Sequence, residues 1–89
     1  MPEMNAITVY TTPVCPYCVS AKSLLKQRGY AYTEVNLAAD PELRVKLSNE
    51  NGGYRTVPMI FIGKEFIGGY NELAALDKAG KLAAKVGRA

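Results

Sequence analysis

The sequence predicts an α/β fold in the order β-α-β-α-β-β-α, with one four-stranded mixed sheet flanked by helices. Two strand-like runs, each followed by a capped amphipathic helix, favour a parallel strand pair joined by a crossover. Two short apolar runs then flank Gly63-Lys64, a loop with glycine first as a type II′ hairpin turn requires, so the second half is antiparallel. The 89 residues, 48% of them hydrophobic, suffice for one small core and not for two, so residues 1–89 read as a single domain.

Taken in order, residues 6–11 (AITVYT) are β-branched and aromatic and stop at Thr12-Pro13, the pattern of a buried strand. Pro16 suits a first helical position, Cys18, Ala21 and Leu25 recur at helical spacing, and Gly29 stops the helix. Residues 32–36 (YTEVN) alternate as a second strand. Asp40, Pro41 and Glu42 supply an N-cap, a first-turn proline and a first-turn acid, and Leu43 and Leu47 share a face before Asn51-Gly52-Gly53 ends that helix. Residues 58–62 (PMIFI) and 65–67 (EFI) form the hairpin. After Gly68-Gly69, Asn71 is the expected cap of a last helix whose apolar face is Leu73, Leu76 and Ala79, extended by Leu82 and Val86.

Composition narrows the functional classes. The net charge of +3 comes from bases scattered along the chain rather than from a basic stripe interleaved with aromatics, so no nucleic-acid partner is expected. A mild positive balance instead favours a small anionic ligand. No segment approaches the roughly 20 apolar residues that span a bilayer, and residues 1–10 lack a basic region followed by an apolar run, so neither a membrane nor a secretory signal is expected. A cytoplasmic protein is the expectation, and there a cysteine pair is catalytic or metal-binding more often than structural.

The two cysteines, Cys15 and Cys18, are three positions apart. They close too short a loop to staple distant segments. A closed zinc site needs four ligands, and two cysteines with no histidine cannot supply it within one chain, so no metal site is expected. A C-x-x-C beside a βαβ pattern is instead a thioredoxin-like redox signal. Cys15 falls where unpaired helix amides favour a thiolate, and Cys18 falls one turn in, on the apolar face, where burial keeps it protonated. The benefit of a stabilised thiolate can be weighed. Lowering a thiol pKa from ~8.5 to ~5 raises the thiolate fraction at neutral pH about 30-fold, while a Brønsted slope of ~0.4 to 0.5 removes a similar factor from nucleophilicity. What remains is a better leaving group, so the site is suited to releasing whatever is attached to Cys15.

At these residues the chain resembles a glutaredoxin of the dithiol type over nearly its whole length. The family's tetrad stands as Cys15-Pro16-Tyr17-Cys18, its T-V-P loop as Thr56-Val57-Pro58 after Arg55, and its glycine pair with capped helix as Gly68-Gly69-Tyr70-Asn71-Glu72-Leu73. The resemblance implies a thioredoxin-like fold and a glutathione-dependent thiol-disulfide oxidoreductase, with glutathione as co-substrate and no tightly bound cofactor. Cys15 would attack disulfide-containing or glutathionylated proteins and Cys18 would resolve the first kind. It also implies a cis Pro58, with the backbone of Val57 turned toward Cys15 to pair with the cysteine part of glutathione. The glycines would allow close approach, the amides of Tyr70 and Asn71 would take a carboxylate, and Glu72 would hold the ligand's ammonium. Arg55 and Lys22 are candidates for the ligand's other carboxylate, and Tyr17 for a flanking ring. The chain is expected to act as a monomer.

Two positions depart from the family pattern: Thr12, where many relatives carry lysine, and Glu72, where aspartate is usual. Two other functions share parts of this pattern. A thioredoxin-like electron donor recharged by a flavoprotein reductase would keep both cysteines, but such proteins typically show W-C-G-P-C, and this chain has no tryptophan. A glutathione-ligated iron-sulfur dimer would use Cys15 from two chains, and by the same resemblance Pro16 argues against it.

Overall fold

In a computed structural model of the protein, residues 6–87 are described. Strand β1 (Ile7–Thr11) leads to α1 (Pro16–Gln27), β2 (Thr33–Asn36), a 3₁₀ turn (Leu37–Ala39) and α2 (Pro41–Glu50). Then come β3 (Met59–Ile62), β4 (Glu65–Gly68), α3 (Tyr70–Lys78) and α4 (Leu82–Val86). The sheet order is β2-β1-β3-β4. As expected, β1 and β2 are parallel, in the register Thr8 to Thr33 and Thr11 to Asn36. Strands β1 and β3 are antiparallel, with Val9 opposite Ile60.

The period of two in the strands divides the core between the two faces of the sheet. Ile7, Val9, Ile60 and Ile62 point to one side, where they meet Ala21 and Leu25 of α1, Leu73 of α3, and Leu82 and Val86 of α4. Met59 points to the other side and packs with Leu37 and Leu47, joined by the half-buried Tyr10, Phe61 and Phe66. On that second face the rings of Tyr10, Phe61, Phe66 and Tyr54 follow one another at centroid separations of 5.6, 5.1 and 5.0 Å.

Several local expectations meet the structure directly. Asp40 caps α2 through its side chain, accepting from the Leu43 amide at 3.1 Å. Gly63 has φ +61 while, among the described residues, none other than glycine has positive φ, which agrees with glycine at the first place of a type II′ turn. The reading against a secretory signal falls on residues 1–10, of which residues 1–5 lie outside the described part of the chain.

Three details differ. The cap of α3 is Gly69, and Asn71 is the second residue of the helix. The last helix is divided: Gly80, with φ +74, breaks the run, so Leu82 and Val86 are buried from a separate α4, while Ala79 is exposed. Strand β4 also carries a bulge, since Ile60 pairs with Gly68 and Phe61 with Phe66. A bulge puts two residues against one and bends the strand, which here brings the Gly68-Gly69 turn beside the start of β3.

Candidate active site

Cys15 is the N-cap of α1, with extended backbone at φ −149 and ψ 100, and Pro16 follows at the first turn. Its Sγ accepts a hydrogen bond from the amide of Cys18 at 3.1 Å. A helix amide aimed at sulfur stabilises negative charge there through both the hydrogen bond and the macrodipole. The same sulfur lies 3.6 Å from the carbonyl oxygen of Val57, to which its thiol donates. The Val57-Pro58 peptide is cis, as the resemblance implied.

Cys18 is 2% exposed and sits on the core face of α1 with Ala21 and Leu25. Burial, then the hydrogen bond with Cys15, push its thiol from 9.0 up to about 12, against a main-chain hydrogen bond at Thr12 and the charge of Lys22. Both cysteines are free thiols. The pair is therefore asymmetric: Cys15 is the accessible sulfur, and Cys18 is the one held neutral.

Beside Cys15 runs a groove lined by Tyr17, Tyr54, Thr56, Val57, Pro58, Gly69, Tyr70, Asn71 and Glu72. It brings together Tyr17, the Thr56-Val57-Pro58 loop and the start of α3 from three distant parts of the chain. Tyr17 and Tyr70 stack at one end, with centroids 6.2 Å apart and planes 27° from parallel. The first amides of α3 have no intrahelical acceptor and face an anion favourably. A larger groove, lined by Phe66, Ile67, Ala75, Leu76 and Ala79 with Glu65, Glu72, Lys81 and Lys85 at its charged margin, contains neither thiol.

Both expected cations stand elsewhere. Lys22 forms an ion pair with Glu34 on β2 at 3.0 Å, and Thr11, 2% exposed, donates to the same carboxylate oxygen at 2.9 Å. The Glu34 hydrogen bond raises Lys22, and Lys22, then Thr11, lower Glu34. Arg55 lines a different depression with Arg44, Val45, Ser48 and Asn49, and Tyr54 separates it from the groove by lining both. What fixes this segment is the Arg55 carbonyl, which accepts from Arg44 Nη2 at 3.2 Å.

The glycine pair also has a different neighbour from the one expected. A side chain at Gly68 would place Cβ 2.6 Å from Glu72 Oε1, and one at Gly69 would lie 2.6 Å from the Tyr54 hydroxyl. The close approach is thus by Glu72 and Tyr54 rather than by ligand alone. Glu72 Oε1 accepts from the Gly69 amide at 3.0 Å and from Tyr54 Oη at 3.4 Å. Sequence reasoning missed Tyr54. Its only signal was an aromatic residue directly after a glycine pair, in a stretch that reads as a loop.

Residues 7–67 match the family described as glutaredoxin. The chain belongs to the glutaredoxin family. A glutaredoxin of Pseudomonas aeruginosa is 44% identical over 79 residues, covering 89% of this chain and 93% of the relative. A solution structure of a Brucella melitensis glutaredoxin, 41% identical, superposes with a TM-score of 0.85 over 96% of this chain and 91% of that one. A crystal structure described as a buckwheat glutaredoxin-glutathione complex is 29% identical and reaches 0.87, covering 96% of this chain and 83% of that one. The fold is therefore thioredoxin-like, and the chain is a thiol oxidoreductase by family. Among the described residues, no three His, Cys, Asp or Glu side chains gather to hold a metal ion, and no helix is long and apolar enough to cross a membrane.

Proposed function

We propose that the chain reduces protein-glutathione mixed disulfides and protein disulfides with electrons from glutathione, as a cytoplasmic monomer. The observation that carries this reading is the position of Cys15 Sγ, capped by the Cys18 amide and 3.6 Å from the Val57 carbonyl at the edge of the groove. One wall of that groove is the Thr56-Val57-Pro58 loop and the other is a helix start. Glutathione has matching parts: a peptide with a central cysteine, a glutamyl end bearing ammonium and carboxylate on one carbon, and a second carboxylate. The complex solved for the buckwheat relative supports the choice of ligand.

In this reaction, the Cys15 thiolate attacks the glutathione sulfur of a mixed disulfide. The Cys15-glutathione S–S bond forms, the original S–S bond breaks, and the protein thiolate leaves and takes a proton. A second glutathione thiolate then attacks the glutathione sulfur of the adduct, giving glutathione disulfide and expelling Cys15 as the thiolate that the Cys18 amide stabilises. On a protein disulfide, Cys15 first forms a mixed disulfide with the protein. Cys18 then loses its proton and attacks Cys15 Sγ, releasing the second protein thiolate and leaving the Cys15-Cys18 disulfide, which two glutathiones reduce. Formation of the mixed disulfide removes the negative charge of Cys15 that helps hold Cys18 neutral, so the first step prepares the second.

The test is which reductant recharges the protein. Reduction of a small glutathione mixed disulfide is followed with glutathione, its reductase and NADPH, and in parallel with a thioredoxin reductase and NADPH alone. Turnover that requires glutathione supports the reading. Turnover in the second system without glutathione would make the chain a flavoprotein-coupled donor instead.

A further inference from the structure

Glu72 is placed more tightly than a first-turn helix acid needs. The Gly69 amide and the Tyr54 hydroxyl both reach its Oε1, at 3.0 and 3.4 Å. Its side chain lies back over Gly68, whose φ of +121 and missing Cβ leave the space it fills. Tyr54 in turn is fixed from behind by Phe66, with ring centroids 5.0 Å apart and planes at 79°. Its hydroxyl lies directly above Gly69, at one wall of the groove. Among the described residues, both hydrogen bonds to the carboxylate fall on Oε1, which leaves Oε2 for a ligand.

We infer that Tyr54 is a positioning residue that gives this site its selectivity for a free α-amino group, by clamping Glu72 so that Oε2 meets the ligand's ammonium. The inference rests on the glutathione reading above. A glutamate in the first turn of a helix has three rotatable side-chain bonds, and ordering it costs entropy at each binding event unless the protein orders it beforehand. The Gly69 amide alone holds one oxygen but leaves the carboxylate free to turn about that contact. A second donor from a rigid ring, meeting the same oxygen from another direction, narrows that freedom. The ligand class follows from the geometry: an α-amino acid head, whose carboxylate meets the Tyr70 and Asn71 amides while its ammonium meets Glu72.

The experiment compares Michaelis constants for glutathione and for its analogue with hydrogen in place of the α-amino group, glutaryl-cysteinyl-glycine. Wild type, Tyr54→Phe, Glu72→Gln and the double variant are measured. The phenylalanine keeps the ring contact with Phe66, and an unchanged melting temperature verifies this. Loss of one long hydrogen bond at an exposed carboxylate, at the weak end of the range for such bonds, reduces the preference for glutathione over the analogue about three- to tenfold in Tyr54→Phe. Glu72→Gln abolishes the preference, and adding Tyr54→Phe to it changes nothing more, because Tyr54 acts through Glu72. If Tyr54→Phe keeps the full preference while Glu72→Gln loses it, or raises both Michaelis constants equally, the role of Tyr54 is overturned and the glutathione reading stands. If wild type does not distinguish the two ligands, that reading of Glu72 falls and this inference with it.

Discussion

The amide of Cys18 donates to the sulfur of Cys15 across 3.1 Å, so one cysteine's backbone stabilises the other's charge. The Cys18 side chain gains nothing from the arrangement, being buried at 2% exposure with its thiol pushed up to about 12. The separation of roles within the pair follows from this contact and from the helix phase that sets it.

Alkylation should report that separation. At neutral pH, excess iodoacetamide should add one carbamidomethyl group, on Cys15, and Cys18 should react only as the pH climbs toward about 12 or the protein unfolds. Stability has the matching sign. Because the folded thiol titrates above its ordinary value of 9.0, its contribution is complete below about 9 and is lost as pH rises toward about 12. Peptide mapping by mass spectrometry checks the first part, and urea titrations at increasing pH, compared with Cys18→Ala, check the second. Equal labelling of both cysteines at pH 7 would contradict it.

Gly68→Ala should cost more than Gly29→Ala. Both glycines have positive φ, but an added Cβ meets nothing within 4 Å at Gly29, whereas at Gly68 it lies 2.6 Å from Glu72 Oε1. Backbone strain alone is worth about 1 to 3 kcal/mol. For a domain of this size each kcal/mol lowers the melting temperature by about 4 to 8 °C. The Gly68 variant should add displacement of Glu72, seen as weaker glutathione binding. Equal melting temperatures and equal binding in the two variants would contradict the packing described.

Lys22→Gln should leave the Michaelis constant for glutathione unchanged, since Lys22 is paired with Glu34 at 3.0 Å. Its effect should instead fall on protein-disulfide reduction, where Cys18 must ionise and the nearby cation lowers its pKa. A raised Michaelis constant with unchanged disulfide reduction would return Lys22 to the ligand.

Thr12→Lys should tighten glutathione use, lowering its Michaelis constant by about threefold. A cation there adds attraction for a carboxylate near a partly exposed site, an effect of several tenths of a kcal/mol to about one. The variant's benefit should shrink with added salt. An unchanged constant at low ionic strength would count against this.

Much of this architecture is legible in the chain because it is written in local chemistry. Pro16, Asp40-Pro41 and Gly63-Lys64 mark element boundaries by backbone constraint alone, and the alternation of Ile7 and Val9 or of Ile60 and Ile62 shows which face is buried. The cysteine pair is legible for the same reason, since three-residue spacing at a helix start determines which sulfur is capped. What escapes is set by contacts between distant segments. The bulge at β4 depends on how Phe66 meets Phe61, and the pairing of Lys22 with Glu34 depends on β2 lying beside α1. Tyr54 gains its place only when the loop before β3 folds onto Glu72, 18 residues away, so no spacing rule announces it. Arg55 stands out in the sequence by its charge and neighbours, yet it lines a depression with the α2 residues Arg44, Val45, Ser48 and Asn49, and its carbonyl is the part held.

The central claim is that Cys15 alone carries the exchange with glutathione mixed disulfides and that Cys18 is needed only to resolve protein disulfides. It is tested most directly by assaying wild type, Cys15→Ser and Cys18→Ser with glutathione, its reductase and a small glutathione mixed disulfide. The geometry predicts complete loss in Cys15→Ser and substantial retained activity in Cys18→Ser. A Cys18→Ser protein as inactive as Cys15→Ser on that substrate would contradict the account.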